Sequence, residues 1–261
     1  MARNPASAPV HVEHYIEELG SANERVRFAA AKALSGFRSG AADGALQRRI
    51  EDGAEHIFIR LEAAASLARH GYAGAWRFFE TTLDDSFAEN RLECCIVLAE
   101  VKEVRAQALL VSKLSDEHEH PDVRAGAAWA IGEHRSPQAF GALAAAFTAR
   151  PEGIRVEAAR ALAKLAREHK AEAIRWFSNV TDAERPGMAF ALRKGAQARA
   201  DDLRIALQGE DARQWAAYIV GTSENLGEVE KLKDMDREVY FAATLLWKML
   251  SSGIYSLEEY G

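Results

Sequence analysis

Apolar and polar residues follow one another along this chain with the spacing of amphipathic helices. In five segments an arginine is followed by small residues three and four positions later and by an aliphatic residue seven positions later. These segments are VRFAAAKAL (26–34), IRLEAAASL (59–67), NRLECCIVL (90–98), VRAGAAWAI (123–131) and IRVEAARAL (154–162). Residues with this spacing share one face of a helix. The pattern therefore predicts five helices that each bury a stripe of small and aliphatic side chains.

The helices recur with a period of about thirty residues. The first five arginines are separated by 33, 31, 33 and 31 residues, two weaker copies follow, and a degenerate copy begins at Arg237. The seven repeat arginines are Arg27, Arg60, Arg91, Arg124, Arg155, Arg185 and Arg213. A fixed period of this length is typical of stacked repeats that share their core with their neighbours.

A shorter amphipathic segment precedes each repeat helix, and polar stretches such as GSANE and TARPEG lie between the two. Each unit is therefore predicted to be a helix, a turn and a second helix. Because one helical hairpin cannot cover its own apolar face, the hairpins are expected to stack in series. We predict an all-α fold, a right-handed α-α superhelix (α-solenoid) of about seven to eight hairpins. It forms one domain over residues 1–261, with repeats in 10–222 and degenerate capping helices in 223–261.

Composition agrees with an all-helical chain. Alanine, leucine, arginine and glutamate are abundant helix formers, and only 6 prolines are present. The net charge of −6 argues against non-specific binding to nucleic acid. Cys94 and Cys95 are neighbours in an apolar helical pattern, which predicts buried free thiols suited to a reducing compartment. No apolar run is long enough for a membrane span or a signal peptide, so we expect a cytoplasmic protein that is not in a membrane.

The segment DVRAGAAWAIGEH, which begins at Asp122, resembles the second helix of HEAT-like repeats of the phycobilisome-lyase type. That helix reads as aspartate, a variable residue, arginine, two variable residues, two alanines, two variable residues, leucine and glycine. The other copies keep the arginine and the small pair but mostly lack the aspartate. The resemblance covers roughly residues 10 to 222 and implies an α-solenoid. It implies no particular activity, because such folds serve many functions.

The stretch SDEHEHPDVRAGAAWAIGEHR (115–135) contains a candidate metal site. His118 and His120 could join Asp116 or Glu119 on a metal ion, because imidazole and carboxylate groups are ordinary ligands. Alternate residues of a turn do not form a rigid site, however, and an acidic start with proline stabilises a helix without any ligand. We interpret its first part, DEHEHPD (116–122), as a polar turn, with Asp122 just before the second helix, and expect no metal and no cofactor.

One enzyme similar in its repeats, deoxyhypusine hydroxylase, holds two irons with His-Glu pairs that follow the repeat arginine. The corresponding pairs here are Phe28-Ala29, Leu61-Glu62, Leu92-Glu93, Ala125-Gly126 and Val156-Glu157. Every histidine is replaced, so that activity is not expected. The pairs His11 with His14, and Glu133 with His134, are interpreted as surface groups. The sequence also contains no phosphate-binding loop, nucleophile elbow or zinc-type cysteine spacing.

In HEAT-like proteins the second helices line the concave side, so their exposed positions are candidate contacts with a partner. Tryptophan, tyrosine and arginine are common in interface hot spots. The candidate contacts are Trp129, Arg160, Lys164, Glu133, Trp215, Tyr218, Arg193 and Lys194. The repeat arginines are expected to be structural and to bond to an acid or a carbonyl of the adjoining unit. A local basic patch is predicted at Arg185, Arg193, Lys194, Arg199 and Arg204.

These features favour a non-enzymatic HEAT-repeat scaffold that presents a concave helical groove to another protein, as an adaptor, a regulator or an immunity-type inhibitor. One alternative is a lyase for bilin–cysteine linkages, similar to the phycobilisome lyases. Another is a DNA-binding protein similar to the alkylation-repair HEAT-like proteins, against which the acidic net charge argues. The C-terminal segment is expected to cap the stack. It could instead form an apolar docking face from Trp247, Met249, Leu250, Ile254 and Tyr255.

Overall fold

The computed structural model describes residues 12–253, and every regular element among them is helical. The chain divides into two compact units, which we name the N-terminal unit (Met1–Ala106) and the C-terminal unit (Gln107–Gly261). The boundary falls within helix α7 (Val104–Ser115). The prediction of one repeat domain over residues 1–261 stays a prediction.

Within its described residues, 12–106, the N-terminal unit contains three helical hairpins. Its helices are α1 (Val12–Glu18), α2 (Glu24–Ala33), α3 (Gly40–Glu51), α4 (Ile57–Arg69), α5 (Ala73–Leu83) and α6 (Ala88–Leu98). The second helices of the hairpins contact one another in chain order, α2 against α4 and α4 against α6. Each hairpin therefore covers the apolar face of the one before it.

The C-terminal unit continues the pattern. Its further helices are α8 (Pro121–His134), α9 (Phe140–Ala146), α10 (Glu152–Glu168), α11 (Lys170–Asn179), α12 (Arg185–Phe190), α13 (Glu210–Gly221), α14 (Leu226–Lys231) and α15 (Arg237–Ser251). Helix α12 continues as a π-helical turn, and two 3₁₀ turns replace the first helix of the hairpin that ends in α13. Consecutive second helices again contact one another: α8 contacts α10, α10 contacts α12, α12 contacts α13, and α13 contacts α15. The predicted all-α, α-solenoid fold class is confirmed.

The apolar stripe of the second helices is buried as the spacing predicts. The residues three, four and seven positions after the first five arginines are all fully buried, at 0% exposure. These residues are Ala30, Ala31, Leu34, Ala63, Ala64, Leu67, Cys94, Cys95, Leu98, Ala127, Ala128, Ile131, Ala158, Ala159 and Leu162. Cys94 and Cys95 are buried in this stripe, as predicted. Small side chains at these positions let the second helices of adjacent hairpins lie close together.

The histidine-rich turn before α8 provides the residue that caps this helix. Pro121 occupies the first helical position, and Nδ1 of His120 accepts the Asp122 N–H at 3.3 Å. The expectation that Asp122 precedes the helix is therefore wrong, because His120 is the cap and Asp122 lies in the first turn. Glu119 is buried and accepts the His120 N–H at 2.6 Å. His118 is exposed.

The repeat arginines bond mainly within their own hairpin, which corrects the expectation that they reach the adjoining unit. Their guanidinium groups donate to carbonyl oxygens at the end of the first helix or in the turn. The pairs are Arg60 with Ile50, Arg91 with Asp85, Arg124 with Leu114, Arg155 with Ala149, and Arg185 with Phe177 and Val180. Arg27 and Arg213 also bond to carboxylates of the next hairpin, at Glu55 and Asp236. The repeat arginine therefore joins the two helices of a hairpin.

The pair of Arg27 with Glu55 joins the first two hairpins. The guanidinium donates through Nε and Nη2 to the two carboxylate oxygens, both at 2.8 Å, and Arg49 donates to the same carboxylate at 3.2 Å. The side chain of Glu55 is only 1% exposed. The hydrogen bond from Arg27 lowers the pKa of Glu55 to about 2, against the effect of burial. This carboxylate is fully bonded, so its charge stabilises the fold.

A second close contact brings two helices of the C-terminal unit together. A methyl group built on Gly195 would lie 2.8 Å from Cα of Ala163 in α10 and would also strike the Ala163 carbonyl. Backbone atoms cannot move aside without shifting the helix. Only glycine fits this position.

We predict that replacing Glu55 with glutamine lowers the free energy of unfolding at pH 7 by about 3 kcal/mol, because the partly buried guanidinium of Arg27 loses its anionic partner. Because the pKa of Glu55 is lowered, its contribution to the free energy of unfolding is complete above pH 4.5 and is lost as the pH falls towards 2. Urea titrations of wild type and E55Q between pH 7 and 2.5 should therefore show a difference that shrinks in acid.

The control for this measurement is E51Q, at the exposed last residue of α3, four positions before Glu55. It should change the free energy of unfolding by less than about 0.5 kcal/mol. A constant E55Q difference at every pH would contradict a stabilising charge on Glu55.

We also predict that Gly195→Ala lowers the free energy of unfolding by about 1–3 kcal/mol through overpacking against Ala163. The matched control is Gly153→Ala in the first turn of α10, where the nearest atom to an added Cβ lies at 4.0 Å. That change should be neutral or stabilising, because alanine favours the helix by up to about 1 kcal/mol. Equal melting temperatures for the two variants would contradict the close approach of Gly195 to Ala163.

Candidate functional site

An open groove with apolar walls lies across the second helices of the N-terminal unit. Phe28 of α2, Phe58 of α4 and Ile96 of α6 line one cavity of about 530 Å³, although these side chains are 36%, 38% and 37% exposed. Ile59 and Val97 complete the apolar wall. We call this cavity the N-terminal groove. Large apolar side chains that gather in a concave surface typically mark a binding site.

Helical spacing produces the groove. On α6, Glu93, Ile96 and Val97 form one stripe, because Ile96 and Val97 follow Glu93 by three and four positions, and Glu100 lies in the turn just after the helix. The other two second helices present equivalent stripes. These are Glu24, Arg25, Phe28 and Lys32 along α2, and His56, Phe58, Ile59 and Glu62 along α4. Because α2, α4 and α6 contact one another in order, their stripes lie side by side.

The groove also carries an excess of acidic side chains. Four carboxylates line it, against the two cations Arg25 and Lys32. The carboxylates are Glu24, Glu62, Glu93 and Glu100. Of these, Glu100 is paired, since Lys32 lies 2.8 Å and Arg69 lies 3.6 Å from its oxygens. The hydrogen bond to Glu100 raises the pKa of Lys32.

Glu62 is a buried carboxylate whose bonding is incomplete. The residue is 3% exposed, and its Oε1 has no hydrogen-bond partner among residues 12–253. The nearest cation, Nη1 of Arg69, lies 4.0 Å from Oε1, which is too far for a hydrogen bond. Burial raises the pKa of Glu62, and the charge of Glu100 adds to this, while Lys32 and Arg69 act against it. The ionised form of Glu62 therefore destabilises the folded protein.

Glu93 is in a similar state on the neighbouring helix. It is half-buried, and within the described part of the chain its carboxylate forms no hydrogen bond or ion pair. Burial raises the pKa of Glu93, and the nearby His56 lowers it. The groove thus presents two carboxylates that still have capacity to accept hydrogen bonds, beside aromatic and aliphatic walls.

The contacts predicted from the sequence lie on the C-terminal unit. Trp129 of α8 is 40% exposed, which leaves its ring available to a partner. Lys164 lies 2.6 Å from Glu133 of the neighbouring second helix, and Arg160 lies 2.8 Å from Glu157 of its own helix. These three charged residues already have partners within the unit.

The other predicted contacts are less accessible. Trp215 and Tyr218 are half-buried on α13, and their rings pack edge to face with centroids 6.0 Å apart. Arg193 and Lys194 are half-buried in the π-helical turn and line a polar cavity of about 650 Å³. This cavity also contains Lys170, Arg199, Asp202 and Glu228, so its charge is mixed.

The predicted basic patch is not a single surface. Arg185 is buried and bonds to two carbonyl oxygens, and Arg204 lies 2.7 Å from Asp201. Only Arg193, Lys194 and Arg199 line one cavity. The prediction of one patch of five basic residues is therefore wrong.

Several predictions concern the ends of the chain. His14 is exposed and lies 3.4 Å from Glu18, while its predicted neighbour His11 lies outside the described residues. On α15, Trp247, Met249 and Leu250 are half-buried and Phe241 and Leu245 are exposed. Ile254 and Tyr255 also lie outside the described residues, so the choice between a cap and a docking face stays open.

The N-terminal groove was not selected from the sequence, although its signal is visible there. Glu62 and Glu93 stand two positions after a repeat arginine, and Ile96 stands five positions after one. An acidic residue repeated at equivalent positions of adjacent repeats, outside the stripe of small and aliphatic residues, marks one continuous surface.

Within residues 12–253, no group of three or more histidine, cysteine, aspartate or glutamate side chains is placed to hold a metal ion. In the same range, no helix combines the length and the apolar character needed to cross a membrane.

The fold and the groove define a class: a helical repeat protein whose stacked hairpins present their second helices as a surface. Residues 77–163 match the family model for HEAT repeats. Together with the period and the stacking, this match supports a HEAT-like repeat protein. No curated protein sequence matches it significantly.

Solved structures of related architecture include several helical repeat proteins. The complex of CpcE and CpcF of phycocyanin lyase from Nostoc sp. PCC7120 is 19% identical, with a TM-score of 0.41, and the match covers 100% of this chain and 95% of that one. Human deoxyhypusine hydroxylase in complex with glycerol is 19% identical, with a TM-score of 0.42 and coverage of 81% and 84%. A designed armadillo repeat protein in complex with the peptide (KR)4 is 19% identical, with a TM-score of 0.36 and coverage of 92% and 99%. At this level these similarities carry no information about what the chain binds.

We predict that Glu62→Gln raises the free energy of unfolding by about 1–2 kcal/mol at pH 7, because it removes an incompletely bonded buried charge. The pKa of Glu62 is raised in the folded protein, so its charge begins to destabilise the fold as the pH rises above 4.5. Urea titrations of wild type and variant from pH 4 to 8 should show an advantage of the variant that grows with pH. A loss of stability in E62Q would mean that the carboxylate is fully satisfied in the folded protein.

Proposed function

We propose that this chain is a non-catalytic protein-binding module and that the N-terminal groove contacts the partner. One observation carries the proposal: three successive second helices each place a large, partly exposed apolar side chain, Phe28, Phe58 and Ile96, in the same concave cavity. Burying such a side chain fully contributes about 1.5–3 kcal/mol. Three of them in one cavity would supply the apolar centre of an interface.

The chemistry of the groove also favours binding over catalysis. Its lining residues include no serine, threonine, cysteine or tyrosine, so the described groove offers no hydroxyl or thiol nucleophile. Nδ1 of His56, its one imidazole, accepts the Phe58 N–H at 3.4 Å as the cap of α4. What remains is an apolar surface with carboxylates, which suits recognition of a peptide or protein surface.

On the C-terminal unit, we retain Trp129 as a proposed contact, because a tryptophan ring that is 40% exposed on a second helix is a typical interface anchor. Arg160, Lys164, Glu133, Trp215, Tyr218, Arg193 and Lys194 stay proposals as well. We also propose a cytoplasmic location, in keeping with the buried free thiols Cys94 and Cys95. The identity of the partner decides between an adaptor, a regulator and an immunity-type inhibitor.

We expect Phe58→Ala and Ile96→Ala each to weaken binding of the native partner at least about tenfold, since each removes an apolar anchor from the groove. The partner is first recovered from a native-source lysate, identified, purified and shown to rebind wild type in a one-to-one complex. Affinities of the variants are then measured by calorimetry with the purified pair.

The matched control is Phe87→Ala, because Phe87 is 65% exposed and lies outside the groove. It should change the affinity less than about twofold. Melting temperatures of all three variants should stay close to wild type, because the substituted side chains are partly exposed. If the groove variants bind the partner as tightly as wild type does, the N-terminal groove is not the binding site.

A further inference from the structure

Building on the proposed function, we infer that the N-terminal groove receives a cationic peptide segment of the partner, in which an arginine is flanked by apolar residues. The guanidinium group bonds to Glu62, with Glu93 as a second acceptor. The apolar neighbours of that arginine pack on the walls formed by Phe28, Phe58 and Ile96.

The first argument is the unmet bonding capacity of Glu62. The residue is 3% exposed and lines the groove, yet Oε1 accepts no hydrogen bond from any residue in the range 12–253. Leaving a buried polar group unpaired is costly, whereas a donor that arrives with a ligand removes that cost. The unpaired atom therefore points to a ligand with N–H groups.

The second argument is that the two cations that act on Glu62, Lys32 and Arg69, already pair with Glu100. Lys32 donates to Glu100 at 2.8 Å, and Nη2 of Arg69 lies 3.6 Å from another oxygen of the same carboxylate. Arg69 stays 4.0 Å from Glu62. A hydrogen bond from Lys32 or Arg69 to Glu62 would thus mean breaking a pair at Glu100.

The third argument is the sign of the charge. Four carboxylates line the groove against Arg25 and Lys32, with Arg69 beside them and His56 at the edge. Glu62 and Glu93 have no ion pair closer than 4.0 Å within the described residues. A cationic segment is attracted to such a site, whereas an acidic peptide or a nucleic-acid phosphate is repelled.

The fourth argument distinguishes arginine from lysine. A guanidinium group is planar and weakly hydrated, it stacks on aromatic rings, and it presents a fork of donors to carboxylates. The groove combines the two rings of Phe28 and Phe58 with two carboxylates, and its volume of about 530 Å³ accommodates several side chains. An ammonium group would use the carboxylates but gain less from the rings.

The test begins with a library of random twelve-residue peptides displayed on phage and selected on purified wild type. Peptides whose binding is lost in Phe58→Ala and kept in Phe87→Ala are synthesised. We expect these groove-dependent peptides to share an arginine flanked by leucine, phenylalanine or similar residues.

The decisive measurement uses citrulline, which has the shape of arginine but no charge. Exchanging the shared arginine for citrulline should weaken binding to wild type by 10- to 100-fold, as measured by fluorescence anisotropy. The same exchange should change binding to Glu62→Gln less than threefold, because the acceptor is already lost. Glu89→Gln, at an exposed acid of α6 outside the groove, should respond as wild type does.

The test distinguishes failure of the arginine inference from failure of the proposed binding function. Groove-dependent peptides without arginine or lysine, or equal binding of the arginine and citrulline forms, would overturn the inference but leave the proposed function intact. A shared lysine in place of arginine would overturn the choice of guanidinium. If no selected peptide depends on Phe58, both proposals fail. A dimer of this chain that is lost in Phe58→Ala would identify a second copy as the occupant and would also overturn the inference.

Discussion

A helical hairpin buries only the surface between its two helices, and the bare face of the second helix must be covered by the next hairpin. This requirement governs the structure, because it demands small side chains where consecutive second helices meet. The pairs Ala30-Ala31, Ala63-Ala64 and Cys94-Cys95 are at 0% exposure, and the aliphatic residue that follows each pair is equally buried. The stack in each unit follows from this contact, repeated along the chain.

The same constraint explains where a surface for a partner can form. One face of each second helix is buried against the neighbouring helices, and the positions beside that face can hold other types of side chain. In the N-terminal unit these positions hold Phe28, Glu62, Glu93 and Ile96, which the stacking brings into one groove. Glu62 stands next to the buried stripe, so packing excludes water from a carboxylate whose bonding is incomplete.

Two buried glutamates of this unit illustrate how bonding decides the effect of a charge. Glu55 accepts two hydrogen bonds from Arg27 and one from Arg49, which lowers its pKa to about 2 and makes its charge stabilising. Glu62 is equally buried, but its Oε1 has no donor, and its pKa is raised. Maintaining an incompletely bonded charge costs stability, and binding sites are where such costs typically occur.

The sequence by itself determined the all-α class, the helical hairpins and the buried stripe, because each follows from the spacing of small and aliphatic residues around a repeat arginine. It also favoured a polar turn at residues 116–122, although only the structure identified His120 as the cap. The tertiary structure alone decided that the repeat arginines bond within their own hairpin and that Glu100 engages both Lys32 and Arg69. It also gathered Phe58, Glu62, Glu93 and Ile96 into one cavity. The physical reason is that periodicity specifies which face of a helix is buried, whereas bonding and exposure at the remaining positions depend on side chains of neighbouring helices that are distant in sequence.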